Sequence, residues 1–341
     1  VPEPAHRPDP VDLAAAEQWF VGHGLPYFVD DIRAEVHRGL TRRRLLLVAA
    51  VALLLGAGVV AGFALADLGW DNGLVPGVNA ALLVLAAYAL FTLRAWVIAR
   101  WAARRTFSSL GLLFPLVTRA LPLLLLFVTF LFINAEVWQV AATLDGSVMW
   151  LTVALFVAIT VGFLLARLPE ELAVFDEEVD PEVIARRCAG TPLEGIGGDV
   201  RASEETRLGG LQKANLLLML LITQLVQVVL LSVSVFVFFV LFGLLVMQPE
   251  VIVTWTQQES LHAIPGFDRA NWELVQVSVF LAAFSGFYFT VYAVTDELYR
   301  KQFFSSILDE LERAVSARAV YRSVRGAADS RHAPDATTGG A

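Results

Sequence analysis

Residues 216–247 read LLLMLLITQLVQVVLLSVSVFVFFVLFGLLVM, 32 positions without a charge. A bilayer hydrocarbon core about 30 Å thick is crossed by about 20 apolar residues, and lipid admits only segments that satisfy their own backbone groups, helices or closed barrels. As one straight helix the stretch would be about 48 Å long. It is too short for two crossings, so it predicts one span that tilts strongly or projects beyond the hydrocarbon.

Five more runs flank it. Leu45 to Ala66 carries no charge, Val75 to Ile98 has Arg94 near its end, Leu121 to Ala141 contains Glu136, and Val148 to Ala166 and Val275 to Thr295 complete the set. The string Phe107 to Thr118 is too short to cross. The fold class expected is all-α, a polytopic bundle of six transmembrane helices. Composition agrees: the 341 residues are 57% apolar and 17% charged, and the mean hydropathy is +0.65, well above what a soluble core requires.

Arginine and lysine orient the bundle, because segments that stay in the cytoplasm keep the positive charge. Arg42, Arg43 and Arg44 precede the first span; Arg100, Arg104, Arg105 and Arg119 lie between the second and third. Arg167, Arg186, Arg187, Arg201, Arg207 and Lys213 lie between the fourth and fifth, and Arg300, Lys301, Arg313, Arg318, Arg322, Arg325 and Arg331 follow the sixth. Only Arg269 falls on the other side. Both termini are therefore expected in the cytoplasm, and basic clusters beside the spans suit anionic lipid headgroups rather than nucleic acid. Arg94 lies a turn from the inner end of its span, where its stem can snorkel or its head can find a carboxylate.

The organisation expected is a cytoplasmic helical segment at 1–44, four spans within 45–166, a cytoplasmic loop at 167–215, and two spans within 216–295 around an outer loop at 248–274. A cytoplasmic helix at 296–325 and a disordered tail at 326–341 close the chain. The N-terminal segment reads as two short helices broken at Gly22, Gly24 and Pro26, and the string Trp19, Phe20, Leu25, Pro26, Tyr27, Phe28 is too aromatic to be left in water. The C-terminal helix carries Phe304, Leu308, Leu311 and Val315 on one stripe with charges opposite. It is expected to pack on the N-terminal helices, to pair with another subunit, or to lie along the membrane.

Twenty-three Arg against two Lys, with abundant Ala, Val, Leu and Gly, suggests a GC-rich bacterial genome and hence a bacterial cytoplasmic membrane. Val1 is compatible with a GTG start codon, and the first apolar run is longer than that of a cleavable leader, so none is expected. A single cysteine, Cys188, permits neither an internal disulfide nor a thiolate metal site. The five histidines lie outside the spans, the glycines at 195, 197 and 198 lack a phosphate-loop ending, and His262 with Asp268 is a thin basis for a metal. No enzyme, catalytic residue, metal or cofactor is expected.

Polar residues within lipid are the default functional candidates. Gln224, Gln227 and Ser234 share one face of the fifth span; Ser285, Tyr288, Tyr292 and Asp296 share a face of the sixth; Thr129, Glu136 and Gln139 mark the third. They serve either as interhelical hydrogen bonds or as a polar path with Glu136 near its outer mouth and Asp296 near its inner one. In the first span Ala52, Gly56, Gly58 and Gly62 include a Gly-x-x-x-Gly pair for close helix packing or a dimer face.

Two functions follow as expectations. The first is a small transporter or channel-like protein for cations or small solutes, since the outer loops hold Asp67, Asp71, Asp145, Glu250, Glu259, Asp268 and Glu273 against one Arg. The second is a non-catalytic membrane scaffold or regulatory subunit presenting cytoplasmic helices to a protein partner, alone or as a homo-oligomer.

Overall fold

The computed structural model describes residues 13–108, 124–144, 146–172, 186–195, 210–295 and 310–325. The long apolar runs are helices: α3 (Arg42–Leu65), α4 (Leu74–Thr92), α8 (Gly146–Leu172), α9 (Gly210–Val246) and α11 (Trp272–Thr295). Five are long and apolar enough to cross a membrane, and a bent pair, α6 (Leu124–Phe132) and α7 (Ala135–Thr143), makes a sixth if it is one span. The all-α bundle is as expected.

Contacts between helix ends trace the path. Tyr88 and Thr92 of α4 lie against Gly39, just before α3 begins, whereas Asn79 near the opposite end of α4 donates to the Ser147 carbonyl at the start of α8. Between Thr92 and Gly146 the chain therefore changes ends of the bundle, and α6 carries the described part of that crossing. At this second end Gly243 of α9 touches Leu274 of α11, and Gly286 touches Ser232, so these two helices run antiparallel in a fixed register. α11 is the central helix, with half of its most apolar window buried, against 11% for α3. Leu53 and Leu83, 72% and 71% exposed, are the faces that α3 and α4 turn outward; in a lipid solvent such surface costs nothing.

Three expectations change. First, Val75 to Ile98 is not one helix. α4 stops at Thr92, Arg94 takes a left-handed backbone (φ 49°), and α5 (Ala95–Ser108) sets off anew. The carbonyl of Leu93, orphaned by the stop, accepts the Tyr27 hydroxyl at 2.5 Å, and the Arg94 guanidinium pairs with Glu35. Arg94 thus has a carboxylate partner from the N-terminal segment.

Second, Leu121 to Ala141 is bent by 76° between α6 and α7. Asn134 caps α7 by accepting the Glu136 amide at 2.8 Å, and the indole of Trp138 donates to the Phe132 carbonyl at 2.6 Å. One side chain satisfies a new helix start and the other the old helix end, which is what a sharp bend requires.

Third, the C-terminal helix α12 (residues 310–325) packs on the N-terminal helices, one of the settings expected for it, but it buries more than one stripe, leaving Arg313 and Arg322 exposed. Every residue from Ala314 to Tyr321 is buried, Arg318 included.

That burial comes from a helical cap at the basic end of the bundle. α1 (Leu13–Gly22), a short 3-10 turn (Pro26–Phe28) and α2 (Asp30–Gly39) match the predicted pair of helices. Phe20, Leu25, Tyr27, Phe28, Cys188, Leu193, Leu311, Val315 and Tyr321 form the cap's interior. The start of the 37-residue α9 continues into it, with Asn215 bonded to Gly24 and Tyr27. The other end carries α10 (Pro249–Thr256) and a hairpin of β1 (Ala263–Ile264) and β2 (Phe267–Asn271). Of the string Phe107 to Thr118, 107 and 108 end α5, and the rest lies outside the described residues, as do the glycines at 197 and 198 and the tail beyond 325.

Candidate functional site

Two groups of polar residues are candidates: those inside the bundle and those that knit the cap. Inside the bundle several hydroxyls turn back on their own helix. Thr223 donates to the Met219 carbonyl (2.8 Å), Ser234 to Leu230 (2.9 Å), Ser285 to Leu281 (2.6 Å) and Thr290 to Gly286 (2.9 Å). A hydroxyl so satisfied offers little to a passing solute. Ser285 is buried, whereas Ser234 sits on the exposed side of α9, away from Gln224.

Gln224 is different. It is wholly buried, and neither atom of its carboxamide has a partner; the carbonyl oxygen of Gln227, one turn on, is buried and unpartnered too. The antiparallel register puts Gln224 and Gln227 at the level of Ala293 and Thr290 on α11. Tyr292 is half-buried at that level; Tyr288, also half-buried, stacks on Phe127 of α6 with ring centres 5.4 Å apart. An unmade hydrogen bond on a buried amide costs about 1–3 kcal/mol per group, so Gln224 is the polar residue of the bundle least explained by packing.

On the third crossing Thr129 and Gln139 are half-buried and Glu136 is exposed. Glu136 occupies the first turn of α7, where its charge favours the helix N-terminus, at the end of the bundle away from the cap. Asp296, the expected inner end of the polar path, lies outside the described residues. At the same end His262 donates its backbone amide to Glu273, and its ring Nδ1 lies 2.7 Å from the same carboxylate. Glu273 itself is 1% exposed at the start of α11. The sequence reading paired His262 with Asp268 instead, and the side chain of Asp268 lies outside what is described.

The cap is joined by polar contacts between segments far apart in sequence. Asn215 of α9 accepts the Tyr27 amide at 2.8 Å and donates to the Gly24 carbonyl at 3.1 Å, clamping the turn between α1 and α2. Gly24 has φ 77°, and a Cβ there would meet the Trp101 ring at 3.1 Å, so both backbone and space demand glycine.

Tyr321 donates to Glu17 (2.6 Å), and Arg325 donates to the Tyr321 hydroxyl (2.7 Å) and pairs with Asp30 (3.2 Å). At the other end of α12, Arg105 pairs with Glu310 and Arg187 with Glu312.

Burial, then the hydrogen bond to Glu17, push the Tyr321 phenol up to about 12. Burial, then Arg322 and Arg33 nearby, pull Arg318 down to about 10, with Asp30 acting the other way. The Cys188 thiol, buried in the cap, is pushed up to about 11.

Sequence reasoning missed this network. Glu17 and Tyr321 are 304 positions apart, and although the tail helix was expected to pack on the N-terminal helices among other settings, its spacing names no polar partner. Comparison of the chain with protein-family models, with curated proteins and with solved structures found no match.

Proposed function

We propose that the protein is an integral scaffold or regulatory subunit of a bacterial cytoplasmic membrane, whose bundle holds a folded helical cap on the cytoplasmic side for a protein partner. The observation that carries this reading is the all-round burial of α12 from Ala314 to Tyr321 among segments from both ends of the chain. A minimal pore has no need of such a layer. The back-bonded hydroxyls of α9 and α11 support the same reading, because a hydroxyl spent on its own backbone is not presented to a path. Anionic headgroups beside Arg42, Arg43 and Arg44, all exposed, would seat the cap at the surface. The reading assigns no catalytic step.

The test is a photo-crosslinking residue at Ala34, on the exposed face of α2, together with a flux assay in reconstituted vesicles. The scaffold reading expects one adduct of constant mass in cells, and equal cation and solute flux for the natural protein, Glu136→Gln and empty vesicles. Flux above empty vesicles that falls in Glu136→Gln, with no adduct at Ala34, would assign the protein to transport.

Transport is the second reading, and one observation favours it: the unpartnered amide of Gln224 and carbonyl oxygen of Gln227 are what a hydrated passage would satisfy.

A further inference from the structure

We propose that the groove between α8, α9 and α11 holds one hydrocarbon chain of a membrane lipid. The groove encloses about 330 Å³, at the lower end of the ~300–1,000 Å³ typical of small-molecule sites. It is lined by the small residues Ala282, Ala283 and Gly286 of α11, by valines from all three helices, and by Phe156, Phe236 and Phe287.

The groove exists because two helices close while a third is propped away. Gly286 has no Cβ, and the Ser232 hydroxyl lies 2.3 Å from where one would stand, so α9 and α11 meet closely there. Phe156 of α8 wedges against Phe280, Phe284 and Phe287, with ring centres 5.9, 6.0 and 6.1 Å away. The wedge keeps α8 from following.

Depth and chemistry select the occupant. Thr160 and Gly286 line the groove and lie equally far from the starts of α8 at Gly146 and α11 at Trp272, about 21 Å at 1.5 Å per residue. That level is inside a hydrocarbon core about 30 Å thick, below the headgroups of either face. The lining carries no charge, and its polar groups are the hydroxyls of Thr160 and Ser232 alone. An apolar space of this kind stays dry. An empty one forfeits dispersion contacts along its whole lining.

A second transmembrane helix does not fit. A helix is about 10–12 Å across with its side chains, and close helix approach favours small residues at the contact, whereas three phenylalanines line this one. A single methylene chain meets neither obstacle.

The full-length protein in lipid discs, with a phospholipid carrying a photoreactive diazirine midway along one acyl chain, tests this directly. After irradiation, label on residues 153–160 and 279–287 is expected several-fold above label on the outward residues Leu53 and Leu54 of α3. Ala283→Phe should abolish the excess without lowering the melting temperature. Val157→Phe, which fills the same groove from the exposed side of α8, should do likewise if Ala283→Phe folds poorly. Label spread evenly over all lipid-facing helices and indifferent to both variants would mean ordinary surrounding lipid only and overturn the proposal. A crosslink joining two copies of the chain through these residues would overturn it in favour of a protein occupant.

Discussion

Tyr321 is the residue on which the two ends of the chain converge, and its protonation gives the cap a pH signature. Its phenol sits at about 12 in the folded protein against 10.0 when free. A raised folded value means that the stability it contributes is complete below pH 10 and is lost as pH rises from 10 to 12. Arg318 has the opposite sign: its folded value of about 10 lies below its ordinary 12.5, so its burial costs stability below pH 10 and the cost eases above it. The Arg318 effect is common to the natural protein and Tyr321→Phe, and cancels in their difference. Tyr321→Phe is expected to lose about 1 kcal/mol at neutral pH, since Glu17 and Arg325 are one-third exposed and screened, and to lose less further stability than the natural protein between pH 10 and 12. Thermal melts across that range measure both. Cys188 gives a second readout: with its thiol at about 11 and buried, alkylation at pH 8 should be slow and limited by opening of the cap. Arg187→Ala, which frees Glu312 of α12, should speed it, as timed by mass spectrometry.

At the scale of elements, α3 and α4 show which glycines matter. A Cβ on Gly77 would stand 2.7 Å from the Gly56 carbonyl oxygen, whereas Gly58 and Gly62 have nothing within 4 Å. Gly77→Leu is expected to cost about 1–3 kcal/mol by forcing the helices apart, and Gly58→Leu close to nothing; chemical denaturation in lipid discs compares them. Of the small residues singled out in α3, Gly56 is the one that meets α4, at Gly77 and Ala81, and the Gly58 and Gly62 pair meets nothing. The apolar runs made α3, α4, α8, α9 and α11 legible, since length and hydropathy alone decide what can cross. The breaks were not legible. α4 stops where Tyr27 from another segment takes the Leu93 carbonyl, and α6 bends where Trp138 takes that of Phe132; a run of apolar letters records neither. Of the candidate site, Gln224 was legible as an amide among aliphatics. The retreat of Ser234 and Ser285 to their own backbones depends on side-chain rotamers that spacing does not carry.

For the whole molecule, the account rests on polarity: a bundle with its cap and both described ends of the chain at one end, and α7, α10 and the β hairpin at the other. The charge asymmetry of the sequence and the contacts of the structure meet here, since three of the arginines that predicted the inner side, Arg105, Arg187 and Arg325, pair within the cap. The bent third crossing is the point of greatest strain on this account, because it must deliver Glu136 to the end opposite the cap. Single cysteines at Asp31→Cys, Arg313→Cys, Glu136→Cys and Glu259→Cys, all exposed positions, in a Cys188→Ser background, can be probed with a membrane-impermeant maleimide in right-side-out and inverted vesicles. Asp31→Cys and Arg313→Cys should label only in inverted vesicles, and Glu136→Cys and Glu259→Cys only in right-side-out ones. Labelling of Asp31→Cys and Arg313→Cys from opposite sides, or of Glu136→Cys from the side of the cap, would contradict it.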